Sequence, residues 1–275
     1  MKKSSFKTLL AALWCATISL STLSSLSAWA EKPDFNGIWQ TLGNLDWNIE
    51  PHPASAHPDT NAGAFAATQG GLGIVVGGKI PYQPWALQQR AKNFADRVEL
   101  DPANKCYLPG VPRANYLPYP LQIVQTPKHI FIAYEFAQAS RTLYIDQPNF
   151  EAPVDAWMGH SRAHWEGDTL IVKVTDQVAD TWLDRAGNFH GTNFTVEERY
   201  TLEGPNHIRY EATLQDPDTY TKPFRISTLL YRNMEANAQL LDFKCIEFVE
   251  EKMYGHLSKK DKSPPQKDLP TKEAP

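Results

Sequence analysis

The stretch G159-HSRAHW-EGD-TLIVKVT-175 decides the fold. Gly159–Trp165 alternates polar and apolar side chains, Glu166-Gly167-Asp168 is a turn tripeptide, and Thr169–Thr175 is rich in β-branched residues. Strand, tight turn and strand are the signature of a β-hairpin. Outward from this hairpin the same pattern recurs. Leu121–Thr126, His129–Phe136, Arg141–Asp146, Thr192–Leu202, His207–Leu214, Arg225–Arg232 and Leu240–Phe248 read as further strands, with turns such as Glu203-Gly204-Pro205-Asn206 between them. About nine short strands joined by short turns predict an antiparallel meander. Closing it into a barrel removes the exposed edges, with a two-sheet sandwich as the alternative.

Upstream, Pro84 opens a predicted helix over Pro84–Val98, with proline in the first turn where its missing N–H costs nothing. Leu87, Ala91, Phe94, Ala95 and Val98 mark its expected buried face. The Gly- and Pro-rich residues from Thr41 to Pro81 read as loop. Gly70–Gly78 lacks the G-x-G-x-x-G spacing of a phosphate loop and is expected to form a hairpin or a glycine-rich loop against the core. Cys106 to Pro120 is an extended, proline-rich segment. The domain reading is therefore a signal segment 1–30, an arm 31–120 packed on the barrel, a β-barrel 121–255 and a Pro- and charge-rich tail 256–275 expected to be disordered.

The first thirty residues carry Lys2, Lys3 and Lys7, an apolar run, and Ala28-Trp29-Ala30, which predicts a secretory signal cleaved after Ala30. Of 27 basic residues three leave with it while all 31 acidic ones stay, so the mature chain carries −7. That balance, without a Lys/Arg cluster in the folded part, argues against nucleic acid as a partner. No later window is long and apolar enough to span a bilayer, so no membrane insertion is expected. Cys15 is lost with the signal. Cys106 and Cys245 remain, and in an exported chain they predict one disulfide, two free thiols being the alternative.

The ionisable residues suggest chemistry. His160, Arg162, His164 and Glu166 share one face of their strand, which looks either at solvent or into a polar cavity. His160 and His164 lie ~13 Å apart along a strand, too far to share an ion. His164 and Glu166, ~6.6 Å apart at the backbone, allow a relay or, as the one metal alternative, zinc. Otherwise no metal or cofactor is expected. Asp184-Arg185 and His190 fall in one connection, where a carboxylate can orient a histidine base and an arginine can hold an anionic group. Glu198 and Glu211 on neighbouring strands could pair as carboxylates with separated pKa values. Glu135 with Arg141 could form a charge pair across a hairpin. The expected catalytic set is His164, His190, Asp184 and Glu198; the expected substrate-binding set is Arg185, Arg162, Tyr210 and Glu211.

The segments KIPYQPWA, DPANKCYLPGVPR, QIVQTP, WMGHSRAHWEGDTLIVKVT, TWLDRAGNFH, EERYTLEG and YEATLQDPDTYTKP together resemble a widespread set of exported bacterial proteins, over about Lys79 to Glu247. The resemblance implies export and a shared β-rich fold and carries over no catalytic residues. His160 departs from it, standing where an acid is more usual. Gly37-Ile38-Trp39 followed by a succession of strands is also similar to calycin or lipocalin-type barrels, in which such a tryptophan lies across the closed end. That likeness implies a pocket protein, either a carrier or an enzyme. Two functions are compatible with it: an exported enzyme acting on a small organic molecule by cofactor-independent acid–base chemistry, or a binding protein for a small hydrophobic ligand. A third, an envelope interaction protein, requires the polar strand faces to look at solvent.

Overall fold

The computed structural model describes residues 32–55, 70–147 and 152–257; the expected signal and most of the expected tail lie outside them. The chain divides at Lys32, and the strands and helices below belong to the unit Pro33–Pro275. Its strands run β1 Gly37–Gln40, β2 Leu121–Gln125, β3 His129–Tyr134, β4 Ser140–Ile145, β5 His160–Glu166, β6 Thr169–Thr175, β7 Thr195–Leu202, β8 His207–Gln215 and β9 Phe224–Arg232. Each pairs with its sequence neighbour, and β1 pairs with both β2 and β9, closing the barrel. All pairs are antiparallel except β4 with β5, which run parallel across a long connection.

The local chemistry explains the hairpins. Glu166 pairs with Thr169 across a loop of only Gly167 and Asp168. Gly167 supplies the positive φ, +59°, that a two-residue loop needs to match the twist of its strands. Along β8, Ile208, Tyr210, Ala212 and Leu214 are buried to 0% exposure, while the intervening residues are not. This period of two turns one face inward on every strand. Trp39 on β1 is fully buried, donates its indole N–H to the Phe35 carbonyl, and carries the Arg232 guanidinium 4.2 Å over its ring.

Three expectations are corrected. Leu240–Phe248 is no strand; the ninth strand is β1, whose residues fall within the expected arm. The helix is α1 Pro84–Ala95, interrupted at Asp96 and followed by a short α2 Arg97–Leu100. Its buried residues are Ala86 and Asn93, whereas Leu87 is half exposed and Ala91 and Ala95 are exposed. Gly70–Gly78 does lie against the core, bridged through Gly71 to His52 and through Val75 to Ile226 of β9. A last helix, α3 Val249–Tyr254, comes after a C-terminal strap that Cys245 joins by a disulfide to Cys106, Cα–Cα 5.6 Å.

Candidate functional site

The strand bearing His164 turns that residue outward. His164 and Glu166 are each 53% exposed at the side chain and lie 3.4 Å apart, with Arg199 of β7 at 3.2 Å from Glu166. The inner face of β5 instead carries Ser161 and Ala163. Arg162 is on the outer face too, half-buried. Glu211 also faces outward, 3.5 Å from Arg225. It stands opposite Arg199, while Glu198 stands opposite Ala212, so the two glutamates point to opposite sides of the sheet and do not pair. Among the described residues no three His, Cys, Asp or Glu side chains are grouped as metal ligands would be.

Glu198 lies inside the barrel, where Arg141, expected beside Glu135, is its neighbour. Arg141 meets it with two N–H groups at 2.7 and 3.0 Å. Tyr200 and Tyr210 donate their hydroxyls to Glu198 Oε1 at 3.0 and 2.8 Å, and Asn115 adds its amide at 2.8 Å. Tyr134 donates to Asn115 and accepts from Arg141, so the network closes on itself. Burial pushes the Tyr134 hydroxyl up to about 12. Every member is buried and hydrogen-bonded within the set, which makes this a structural plug. Glu135, expected opposite Arg141, accepts the Leu241 N–H of the C-terminal strap.

His190 is stacked on Phe194, ring centroids 3.8 Å apart, with Nδ1 against the Gly191 carbonyl and Nε2 against the Thr181 hydroxyl at 2.7 Å. Burial lowers its pKa to about 4, so it is neutral at physiological pH. Asp184 accepts from the backbone N–H of Ile49, Ala186 and Asn188 and from the Asn188 amide, fastening its own loop to the arm. His164, His190 and Glu198 thus share no partner, and the expected acid–base set is not assembled.

Of the expected set Arg185 does line a cleft, joined there by side chains that the sequence did not single out as a site. A 3-10 turn Leu45–Trp47 is held by the Arg185 N–H donating to the Asp46 carbonyl at 2.7 Å. Arg113, 1% exposed, grips the Asp101 carboxylate through Nη1 and Nη2 at 2.8 and 2.9 Å. Arg185 lies 4.3 Å over the Trp47 ring and bonds Glu250 at 2.9 Å. Between these and the C-terminal strap opens a cleft of about 430 Å³, lined by Asp46, Trp47, Arg113, Arg185, the aromatic rings of Tyr119, Phe136 and Phe243, Ile246 of the strap and Val249 of α3. Asp46 is 5% exposed, and among the described residues its Oδ1 has no hydrogen-bond partner; nor has Arg113 Nε. Burial raises the Asp46 pKa, against the opposing pull of the Arg113 and Arg185 guanidinium groups. A buried carboxyl with a raised pKa beside a cleft of this size is a candidate for chemistry.

The signal for this site was faint. Asp101 and Arg113 bracket the run DPANKCYLPGVPR, an acid and a base enclosing a proline-rich segment with few other charges. Asp46 sits between Leu45 and Trp47 with no periodicity to draw attention to it. Comparison with protein families and with curated proteins finds no match for this chain.

Proposed function

We propose that this chain is an exported protein that binds a small organic molecule in the cleft between the arm, the barrel loops and the C-terminal strap, and transforms it by acid–base chemistry without a redox cofactor. Asp46 is the proton-handling group. One observation carries this reading: Asp46 is buried, its pKa is raised, and its Oδ1 is unmatched beside an aromatic cleft. A carboxyl held toward its protonated form can give a proton to a leaving group or carbonyl and take it back. Arg113 and Arg185 add fixed positive charge where negative charge would develop. Export is supported by the Cys106–Cys245 disulfide, a bond that persists in oxidising compartments.

A purely binding role is the second reading. The separation of His164, His190 and Glu198 favours it, since it leaves the cleft with aromatic walls and no histidine, as a carrier pocket can offer. The test is a screen of small aromatic esters, lactones and enolisable ketones, followed by NMR for chemical change, with the wild type and Asp46→Asn. The substitution keeps the shape and removes the proton. A fall in turnover of roughly 100-fold or more, with ligand affinity retained, is the expected result. Turnover unchanged in Asp46→Asn sinks the role given to Asp46. Tight binding with no chemical change in any compound leaves the binding role.

A further inference from the structure

Helix α1 turns part of its apolar set away from the core. Leu87, Ala91 and Phe94 recur at helical spacing, yet Leu87 is 50% exposed, Ala91 is exposed and Phe94 is half-buried. All three line a cleft of about 410 Å³, together with Pro51 and Ala186. At 1.5 Å of rise per residue, the stripe from Leu87 to Phe94 is about 10 Å long.

A second cleft, of about 770 Å³, adjoins the first, because Glu50, Leu87 and Arg90 line both. Four cationic side chains line it: Lys79, Arg90, Lys222 and Arg225. Its carboxylate, Glu50, is committed, since Oε1 accepts the Ile80 N–H at 2.7 Å and Oε2 meets Arg90 at 2.8 Å. Arg225 has Glu211 at 3.5 Å. Lys79 and Lys222 are exposed, and neither has a hydrogen bond or ion pair among the described residues. Beside them Gly77 presents bare backbone, with nothing within 4 Å of where a Cβ would stand. Four cations less two carboxylates leave +2 here, on a chain whose formal net charge is −4. A concentration of one sign against the sign of the whole chain draws an anion.

From the apolar stripe and the cations next to it, we propose a second binding site, for a single-chain amphiphile with an anionic head. Lys79 and Lys222 hold the head, and the chain runs over Leu87, Ala91 and Phe94. Arg90, held by Glu50, lends its aliphatic stem to the junction of the two clefts. Neither cleft shares a lining residue with the cleft at the C-terminal strap, so the site stands independently of the function given to that one. A neutral chain would leave the lysines unanswered, and a short anion would leave the stripe wet.

The probes are dodecanoate, octanoate and dodecyltrimethylammonium, each kept below its micelle concentration and titrated calorimetrically into the mature, disulfide-bonded protein. The backbone amide signals of Gly77 and Ala91 report by NMR where each probe binds. Each buried methylene adds to affinity, so dodecanoate is expected to bind at least about ten-fold more tightly than octanoate, moving both amides together. Dodecyltrimethylammonium should leave Gly77 unmoved. Lys79→Glu with Lys222→Glu should weaken dodecanoate at least about five-fold. Ala91→Glu, which sets a charge in the middle of the stripe, should weaken it and erase the preference for the longer chain. All three positions are exposed, so circular dichroism should show an intact fold in both variants. Equal affinities for the two carboxylates, equal or tighter binding of the ammonium amphiphile, or dodecanoate binding that leaves Gly77 and Ala91 unmoved overturns the proposal. Capture on phosphatidylglycerol vesicles without uptake of dispersed dodecanoate assigns the patch to a membrane surface and overturns it too. So does a dimer that Ala91→Glu dissolves in a protein that takes up no dodecanoate, because the stripe then belongs to a second copy of the chain.

Discussion

His190 is held at 1% exposure between Phe194, Thr181 and the Gly191 carbonyl, and that enclosure has a consequence for stability. Its pKa is about 4 in the folded chain against an ordinary value of 6.5, burial being the main cause and the Asp216 carboxylate a weaker opposing one. Above 6.5 the side chain is neutral in both states and the stability it contributes is fully present. As the pH falls the unfolded chain takes the proton first, so stability is lost progressively down to about 4. The loss amounts to about 3 kcal/mol across that window. Urea unfolding of wild type and His190→Gln from pH 7.5 to 4 should show a profile flatter by that amount in the variant; parallel profiles would refute the assignment. Glu198 is the opposite case, a charge kept inside because its partner is there. Glu198→Gln leaves the Arg141 guanidinium buried without a counter-charge, which should cost about 3–5 kcal/mol. The molecules that remain folded should bind cleft ligands with unchanged affinity, since Glu198 belongs to the barrel plug. Denaturant midpoints and probe titrations measure the two effects separately.

At the scale of elements, alternation was informative wherever a strand has one face inside a barrel. His207–Gln215 shows this: its apolar set Ile208, Tyr210, Ala212 and Leu214 is the inward set. The polar faces then had to point outward, and the cavity reading for His164 failed for the same reason that the strand reading succeeded. Leu240–Phe248 misled because its apolar residues serve no sheet; Leu241 and Ile246 are 66% and 56% exposed. That segment is a strap, fixed by the Leu241 N–H on Glu135, the Phe248 N–H on the Asn104 carbonyl, the Glu250–Arg185 ion pair and the disulfide to Cys106. It also forms one wall of the cleft through Phe243 and Ile246. Joining residues 139 apart in sequence, the disulfide contributes up to about 5 kcal/mol in the chain-entropy model. Cys106→Ser with Cys245→Ser should therefore lower the unfolding midpoint, speed proteolysis within the strap, and weaken ligand binding while the barrel's circular dichroism persists. Equal ligand affinity in the folded double variant would show that the strap is not a wall of the site.

For the whole molecule, what sequence periodicity cannot report is which distant residues meet. The Arg141–Glu198 pair joins positions on β4 and β7 whose proximity is set by closure of the barrel, and the Ile49 N–H bond to Asp184 joins positions 135 apart in sequence. Gly37-Ile38-Trp39 was legible as the start of such a barrel, yet its place in the arm hid that it is the strand that closes it. β1 has only four residues to join β2 and β9, so closure leans on side chains as well as on ladder hydrogen bonds. Trp39 supplies its fully buried indole, and Arg232 of β9 lies over that ring while donating to the Asn36 carbonyl. Gly37 has φ +134°, and a Cβ there would collide with the Arg232 guanidinium. Trp39→Ala should cost about 3–5 kcal/mol. Gly37→Ala should destabilise through backbone strain and displacement of Arg232. Because the junction cleft depends on loops that the closed barrel holds in place, both variants should lose near-ultraviolet dichroism and cleft affinity in the same denaturant range. A Trp39→Ala protein that unfolds in two separate steps, with ligand binding surviving the first, would show that the barrel closes without β1 and that the cleft is held independently of it.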